Sequence, residues 1–73
     1  MDRSKETVDF AYSNLRIAEG EDRVRKLAKV AAELRRNGQD ATETDRLLAA
    51  THDALRVWRE HQRQVVSALA ETD

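Results

Sequence analysis

Apolar residues recur at heptad spacing along two charged stretches of the chain, and neither stretch contains proline. In the first stretch the spacing is carried by six side chains: Phe10, Ile17, Val24, Leu27, Ala31 and Leu34. Such spacing places apolar side chains on one face of an α-helix. The pattern predicts a first helix over about residues 5–37. Gly38 then supplies the left-handed conformation that commonly follows a helix C-terminus.

The second stretch follows the segment NGQDAT, residues 37–42. Asp40 is predicted to cap the free N–H groups of a helix over about residues 41–71, and Glu43 stands three residues later, as in a capping box. The predicted seam of this helix consists of Ala41, Thr44, Leu48, Thr51, Leu55, Trp58, Gln62, Val65 and Leu69. Three further residues are expected to widen the seam on one side: Leu47, Ala54 and Ala68.

The connection between the two helices, residues 38–40, is short enough to force them antiparallel. The sequence therefore predicts an all-α fold with a single domain over residues 1–73, a long antiparallel two-helix hairpin that is coiled-coil-like. A turn centred on residues 38–40 sets Trp58 opposite Gly20. Gly20 is then a tolerated weak position, a clearance for the indole, or a break that yields three helices.

A second apolar face lies on the first half of helix 1, away from the seam: Val8, Ala11, Tyr12, Leu15 and Ala18. Either another chain covers this face or the first turns of the helix fray, and exposed apolar patches favour another chain. The residues expected to form the interaction surface are Val8, Tyr12, Leu15, Trp58 and His61.

The chain has 73 residues and no cysteine, so a small core has no disulfide to support it. We therefore expect a homo-oligomer, with a dimer favoured, in which hairpins assemble into a four-helix bundle. The absence of cysteine suits a reducing cytoplasm. The apolar runs are too short to span a membrane, and the first residues lack the apolar core of a secretory signal. The sequence thus predicts a cytoplasmic protein without a membrane partner.

Charged residues make up 37% of the chain, but the net charge is only −1, so no global field attracts nucleic acid. Basic residues do cluster near the turn of helix 1 and along helix 2: Arg23, Arg25, Lys26, Lys29, Arg35, Arg36, Arg46, Arg56, Arg59 and Arg63. Acidic residues are interspersed among them, and the few aromatic residues do not alternate with them as a stacking platform would. A solvated surface is favoured over phosphate contacts.

No residue pattern in the chain indicates catalysis, a cofactor or a metal ion. His52 and His61 are nine residues apart and do not share a helix face as paired ligands would. The serines lack a histidine and carboxylate context, and the two glycines stand alone, which excludes a phosphate-binding loop. The sequence predicts a protein that is not an enzyme.

Residues 16–66, RIAEGEDRVRKLAKVAAELRRNGQDATETDRLLAATHDALRVWREHQRQVV, resemble a pattern in small, mostly uncharacterised bacterial proteins. The shared features are the AEGE segment, the turn at Gly38, the pair Leu47–Leu48 and the closing WREH segment. The resemblance covers about two thirds of the chain and implies a helical hairpin without catalytic activity.

The function expected from these patterns is that of a small protein–protein interaction or oligomerisation module. One alternative is a nucleic-acid-associated accessory protein that uses the basic stretches. Another is a regulatory domain that docks on a larger signalling protein.

Overall fold

In a computed structural model of the protein, residues 4–71 are described. They form two α-helices, α1 (Ser4–Arg36) and α2 (Thr42–Glu71). The helices lie antiparallel in a rod of 57 × 14 × 13 Å. The predicted all-α hairpin is confirmed. Because α1 continues through Gly20, the alternative of a break into three helices is wrong.

The seam between the helices follows the predicted heptad positions, all of which are buried or half-buried. The core is nevertheless narrow, since the buried apolar residues of the described segment are Ala31, Ala41, Leu55 and Val65. Two residues expected to widen the seam, Leu47 and Ala54, are exposed instead. A single partner helix covers only a narrow stripe of α2, and side chains one position outside that stripe stay in solvent.

The end of α1 is a Schellman motif. The Gln39 N–H donates to the Leu34 carbonyl at 2.8 Å, and the Gly38 N–H donates to the Arg35 carbonyl at 3.1 Å. Gly38 has a φ of +71°, which confirms the predicted left-handed residue. A Cβ added at this position would meet no atom within 4 Å, so backbone conformation alone requires glycine here.

The start of α2 is held by Asp40, whose carboxylate accepts from the Thr42 N–H at 3.0 Å and from the Thr42 hydroxyl at 2.6 Å. Glu43 does not complete the predicted capping box, because its carboxylate accepts instead from Arg46 at 2.9 Å. Asp40 thus satisfies one free backbone N–H of the helix start by itself.

The acid sensitivity of the hairpin tests this cap. The Thr42 hydroxyl and N–H donate to the ionised carboxylate and hold the pKa of Asp40 below its usual value. Because this pKa is lower in the folded protein than in the unfolded chain, the ionised carboxylate stabilises the fold at pH values above the unfolded pKa of about 4. The stabilisation is lost as the pH falls from that value through the lower, folded-state pKa. The variant Asp40→Asn keeps a hydrogen-bond acceptor but cannot ionise. We therefore expect its melting temperature to fall less than that of the wild type when the pH is lowered below about 4. Identical losses in both proteins would contradict this role.

The register of the two helices differs from the predicted one by one turn. A Cβ at Gly20 would lie 2.6 Å from Cδ2 of Leu55, so Leu55 and not Trp58 packs against this glycine. The cause lies in the connection, where Ala41 precedes α2 and is already buried. A non-helical residue advances about twice as far along the chain direction as a helical one. The connection therefore runs back along α1, toward its N-terminus, before α2 begins. Gly20 does provide clearance, but for a leucine.

Candidate interaction surface

The two edges of the hairpin differ in chemistry. Along one of them, here called the polar edge, hydrogen bonds and ion pairs link the helices through Asn14, Glu21 and Arg35 on α1 and Asp45, Arg59 and Gln62 on α2. Arg59 donates to Glu21 at 2.9 Å, and Arg35 donates to Asp45 at 2.6 Å. The Gln62 amide donates to the Asn14 side-chain oxygen at 2.6 Å. These links connect the two helices along this edge.

A small polar network enters the core beside this edge. The Ser13 side chain is fully buried, donates to the Phe10 carbonyl at 2.8 Å and accepts from the Gln62 amide at 3.1 Å. Because a buried hydroxyl without partners is costly, the contact between Ser13 and Gln62 favours this alignment of the helices over shifted ones.

The opposite edge, here called the open edge, contains a groove of about 870 Å³ between the helices. Its α1 wall is charged and includes Arg16, Glu19 and Arg23, whereas Leu47 and Ala54 lie on its α2 wall. Within residues 4–71, no ion pair crosses from one helix to the other at this edge. The groove is therefore open to another molecule along its length.

The apolar wall continues along α2 as a stripe with alternating spacings of three and four residues, here called the α2 stripe: Leu47, Ala50, Ala54, Val57 and His61. Leu47 is 50% exposed and Val57 is 67% exposed. α2 consequently has two heptad stripes, one packed against α1 and one uncovered. Sequence reasoning assigned Leu47 and Ala54 to the seam and did not single out Val57, although the regular spacing through Ala50 and Val57 was available as a signal.

An aromatic cluster adjoins the α2 stripe. The ring of Trp58 makes edge contacts with Tyr12 at a centroid distance of 5.6 Å and with His61 at 5.8 Å. Arg16 lies 4.9 Å from the centroid of the Tyr12 ring and donates to the Tyr12 hydroxyl at 2.6 Å. The structure thus brings together three of the five predicted interaction residues, and half-buried Trp58 joins them to the seam.

The other two predicted interaction residues, Val8 and Leu15, are exposed on α1, at 64% and 56%. With Ala11 and Ala18 they form a surface that points away from the seam, here called the outer patch. Val8 and Leu15 lie one turn on either side of Tyr12. Whether these five residues bind a partner stays a prediction.

Comparison of the chain with protein-family models, curated proteins and solved structures found no match. The resemblance to bacterial hairpin proteins therefore stays a prediction.

Two further features of the described residues bear on the site. Neither α1 nor α2 contains a segment apolar and long enough to cross a membrane, as judged over residues 4–71. Across the same residues, no three histidine, aspartate or glutamate side chains gather in a group suited to a metal ion.

Proposed function

We propose that the protein is a small, non-enzymatic interaction module that acts in the cytoplasm by self-association, two hairpins pairing as a dimer to form a four-helix bundle. The observation that carries this proposal is the α2 stripe, an uncovered apolar face with the spacing of a helix-packing seam. A helix with apolar stripes on two sides is typical of bundles in which each helix has more than one neighbour.

The narrow core of the single hairpin supports the same proposal. Among residues 4–71, four apolar residues are buried, and three of them are alanine or valine, which bury little area each. Small domains without disulfides commonly gain stability by oligomerisation. Covering Leu47 and Val57 with a second hairpin would remove apolar surface from water without changing the fold.

The contacts of the basic side chains do not favour the nucleic-acid alternative. Every arginine of α2 lies in an ion pair within the protein: Arg46 with Glu43, Arg56 with Asp53, Arg59 with Glu21 and Arg63 with Glu60. A phosphate group would have to compete with a carboxylate at each of these arginines. The arginines of α2, one of the two stretches that were expected to be basic, are thus all paired with carboxylates.

The outer patch favours a second candidate function, docking on a larger protein as a regulatory domain. Val8 and Leu15 are exposed on α1 and lie outside the groove of the open edge. A self-associated hairpin would leave these side chains available to a different partner.

Matched pairs of surface substitutions test the proposed self-association. We expect the wild type to sediment as a dimer at micromolar concentration. Leu47→Glu combined with Val57→Glu should yield a monomer, because glutamate carboxylates would be buried without partners in the interface. Val8→Glu combined with Leu15→Glu is the control on the outer patch and should remain a dimer. All four positions are exposed, so helicity measured by circular dichroism should be retained.

The outcomes separate the two surfaces. A wild type that sediments as a monomer over the whole micromolar range would overturn self-association. If Val8→Glu with Leu15→Glu dissociates the dimer and Leu47→Glu with Val57→Glu does not, the interface lies on the outer patch, where the sequence analysis placed it.

A further inference from the structure

We propose that the second copy docks with its α2 antiparallel to the first, α2 on α2, with the twofold axis passing near Ala54. This inference rests on the proposed self-association and adds the arrangement of the two copies. It follows from the chemistry of the two walls of the open edge, from the order of side-chain sizes along the α2 stripe, and from the charges beside that stripe.

The two walls of the open edge restrict how two copies can face each other. With a twofold axis in the interface, either each α2 packs on the other α2 or each α2 packs on the other α1. The second arrangement would press the apolar α2 stripe onto the charged α1 wall, which contains Arg16, Glu19 and Arg23. Burying those charges against apolar side chains is costly. Packing α2 on α2 instead brings the two apolar stripes together.

The order of side chains along the α2 stripe fixes the centre of this contact. Ala54 is the middle member, with Leu47 seven residues before it and His61 seven residues after it. An antiparallel pair centred there sets Leu47 against His61 of the other copy and Val57 against Ala50 of the other copy. Large side chains thus meet smaller or flatter ones, which suits close packing. The antiparallel arrangement also opposes the two helix dipoles favourably.

On the outer side of the stripe the same arrangement makes two contacts between opposite charges, and it brings the two Asp53 side chains, each paired with Arg56 of its own helix, near each other at the axis. Arg46 lies eight residues before Ala54 and Glu60 lies six residues after it, both on the outer side of the α2 stripe. Antiparallel pairing places Arg46 of one copy near Glu60 of the other, and the symmetry repeats the pair. Both side chains are more than half exposed and pair with Glu43 and Arg63 on their own helix, so a contact across the dimer shares or replaces those intrahelical partners. Parallel helices would set each residue against its own like charge.

Engineered cysteines test this arrangement, because the chain contains no cysteine of its own. In the full-length protein, Ala54→Cys should form a disulfide-linked dimer under mild oxidation, since the two Cα atoms meet at the axis. Leu47→Cys alone should not, because its copies would lie about 21 Å apart along antiparallel helices. A mixture of Leu47→Cys and His61→Cys proteins should form the mixed disulfide. Ala49→Cys, an exposed alanine of α2 that lies off the stripe, is the matched control and should stay reduced.

The measurement distinguishes this arrangement from self-association itself. A protein that sediments as a dimer, but in which Leu47→Cys links to itself and Ala54→Cys does not, would overturn the antiparallel arrangement and leave self-association standing. A wild type that sediments as a monomer, with Ala54→Cys no more reactive than Ala49→Cys, would overturn both.

Discussion

Leu55→Ala is expected to lower the free energy of unfolding by about 2–5 kcal/mol, one of the largest effects of a single truncation in this protein. Leu55 is 3% exposed and is the largest of the fully buried apolar residues. Its side chain packs against Gly20, and a single partner helix leaves few groups able to move into the cavity. Denaturant unfolding at one fixed protein concentration measures the change, since dimerisation makes stability depend on concentration.

The partner of Leu55 can be tested in the same experiment. Gly20→Leu alone should destabilise, because overpacking costs about 1–3 kcal/mol, which offsets a gain of about 1 kcal/mol in helix propensity. In the Leu55→Ala background the same substitution should stabilise, because the new leucine fills the space that was emptied. A double-mutant cycle with no coupling between the two positions would contradict the contact.

Trp58→Ala is expected to cost about 2–3 kcal/mol, less than the roughly 3–5 kcal/mol of a fully buried aromatic side chain. The lower figure follows from the half-buried position of Trp58 at the edge of the seam. Of the alternatives for Gly20, clearance for the indole is not what the structure shows, because Leu55 packs against this glycine and Trp58 is half-buried.

The edge contact with Tyr12 gives this prediction a second readout. A double-mutant cycle of Tyr12→Ala and Trp58→Ala should give a coupling free energy of unfolding of about 0.5–1.5 kcal/mol, which is typical of aromatic pairs. Tyr12→Ala should also change the emission maximum of the single tryptophan, whereas Val8→Ala, on the same helix but outside the cluster, should not. Equal spectra for the wild type and Tyr12→Ala would show that the two rings do not pack together.

The fold was predictable because its determinants are local and periodic. The heptad positions from Phe10 to Leu34 define one helix face, and Gly38 with Asp40 marks the point where the chain reverses. The register was less accessible, since it depends on how far the non-helical residues before Thr42 carry the chain. A shift of one turn in that segment exchanges Leu55 for Trp58 opposite Gly20.

The candidate surface was only partly predictable for a related reason. Sequence spacing shows that Leu47 and Ala54 share a side of α2 with the seam, but the width of the covered stripe depends on how many helices pack there. Ion pairs raise the same difficulty, because Glu21 has a possible partner in Arg25 on its own helix and pairs instead with Arg59 across the hairpin. Tyr12 was singled out for its apolar ring, and its contact with Trp58 became visible only with the register known.

The turn at Gly38 has a consequence for how two copies meet. Helical hairpins can exchange arms, each chain opening at the connection into one long helix whose seam is filled by the other chain. That route requires residues 37–41 to become helical, which would give up the left-handed Gly38 and the contacts between Asp40 and Thr42. Glycine is also a poor residue for a helix interior. In the proposed dimer we therefore expect the subunits to associate as closed hairpins, without an exchange of helices between the two chains.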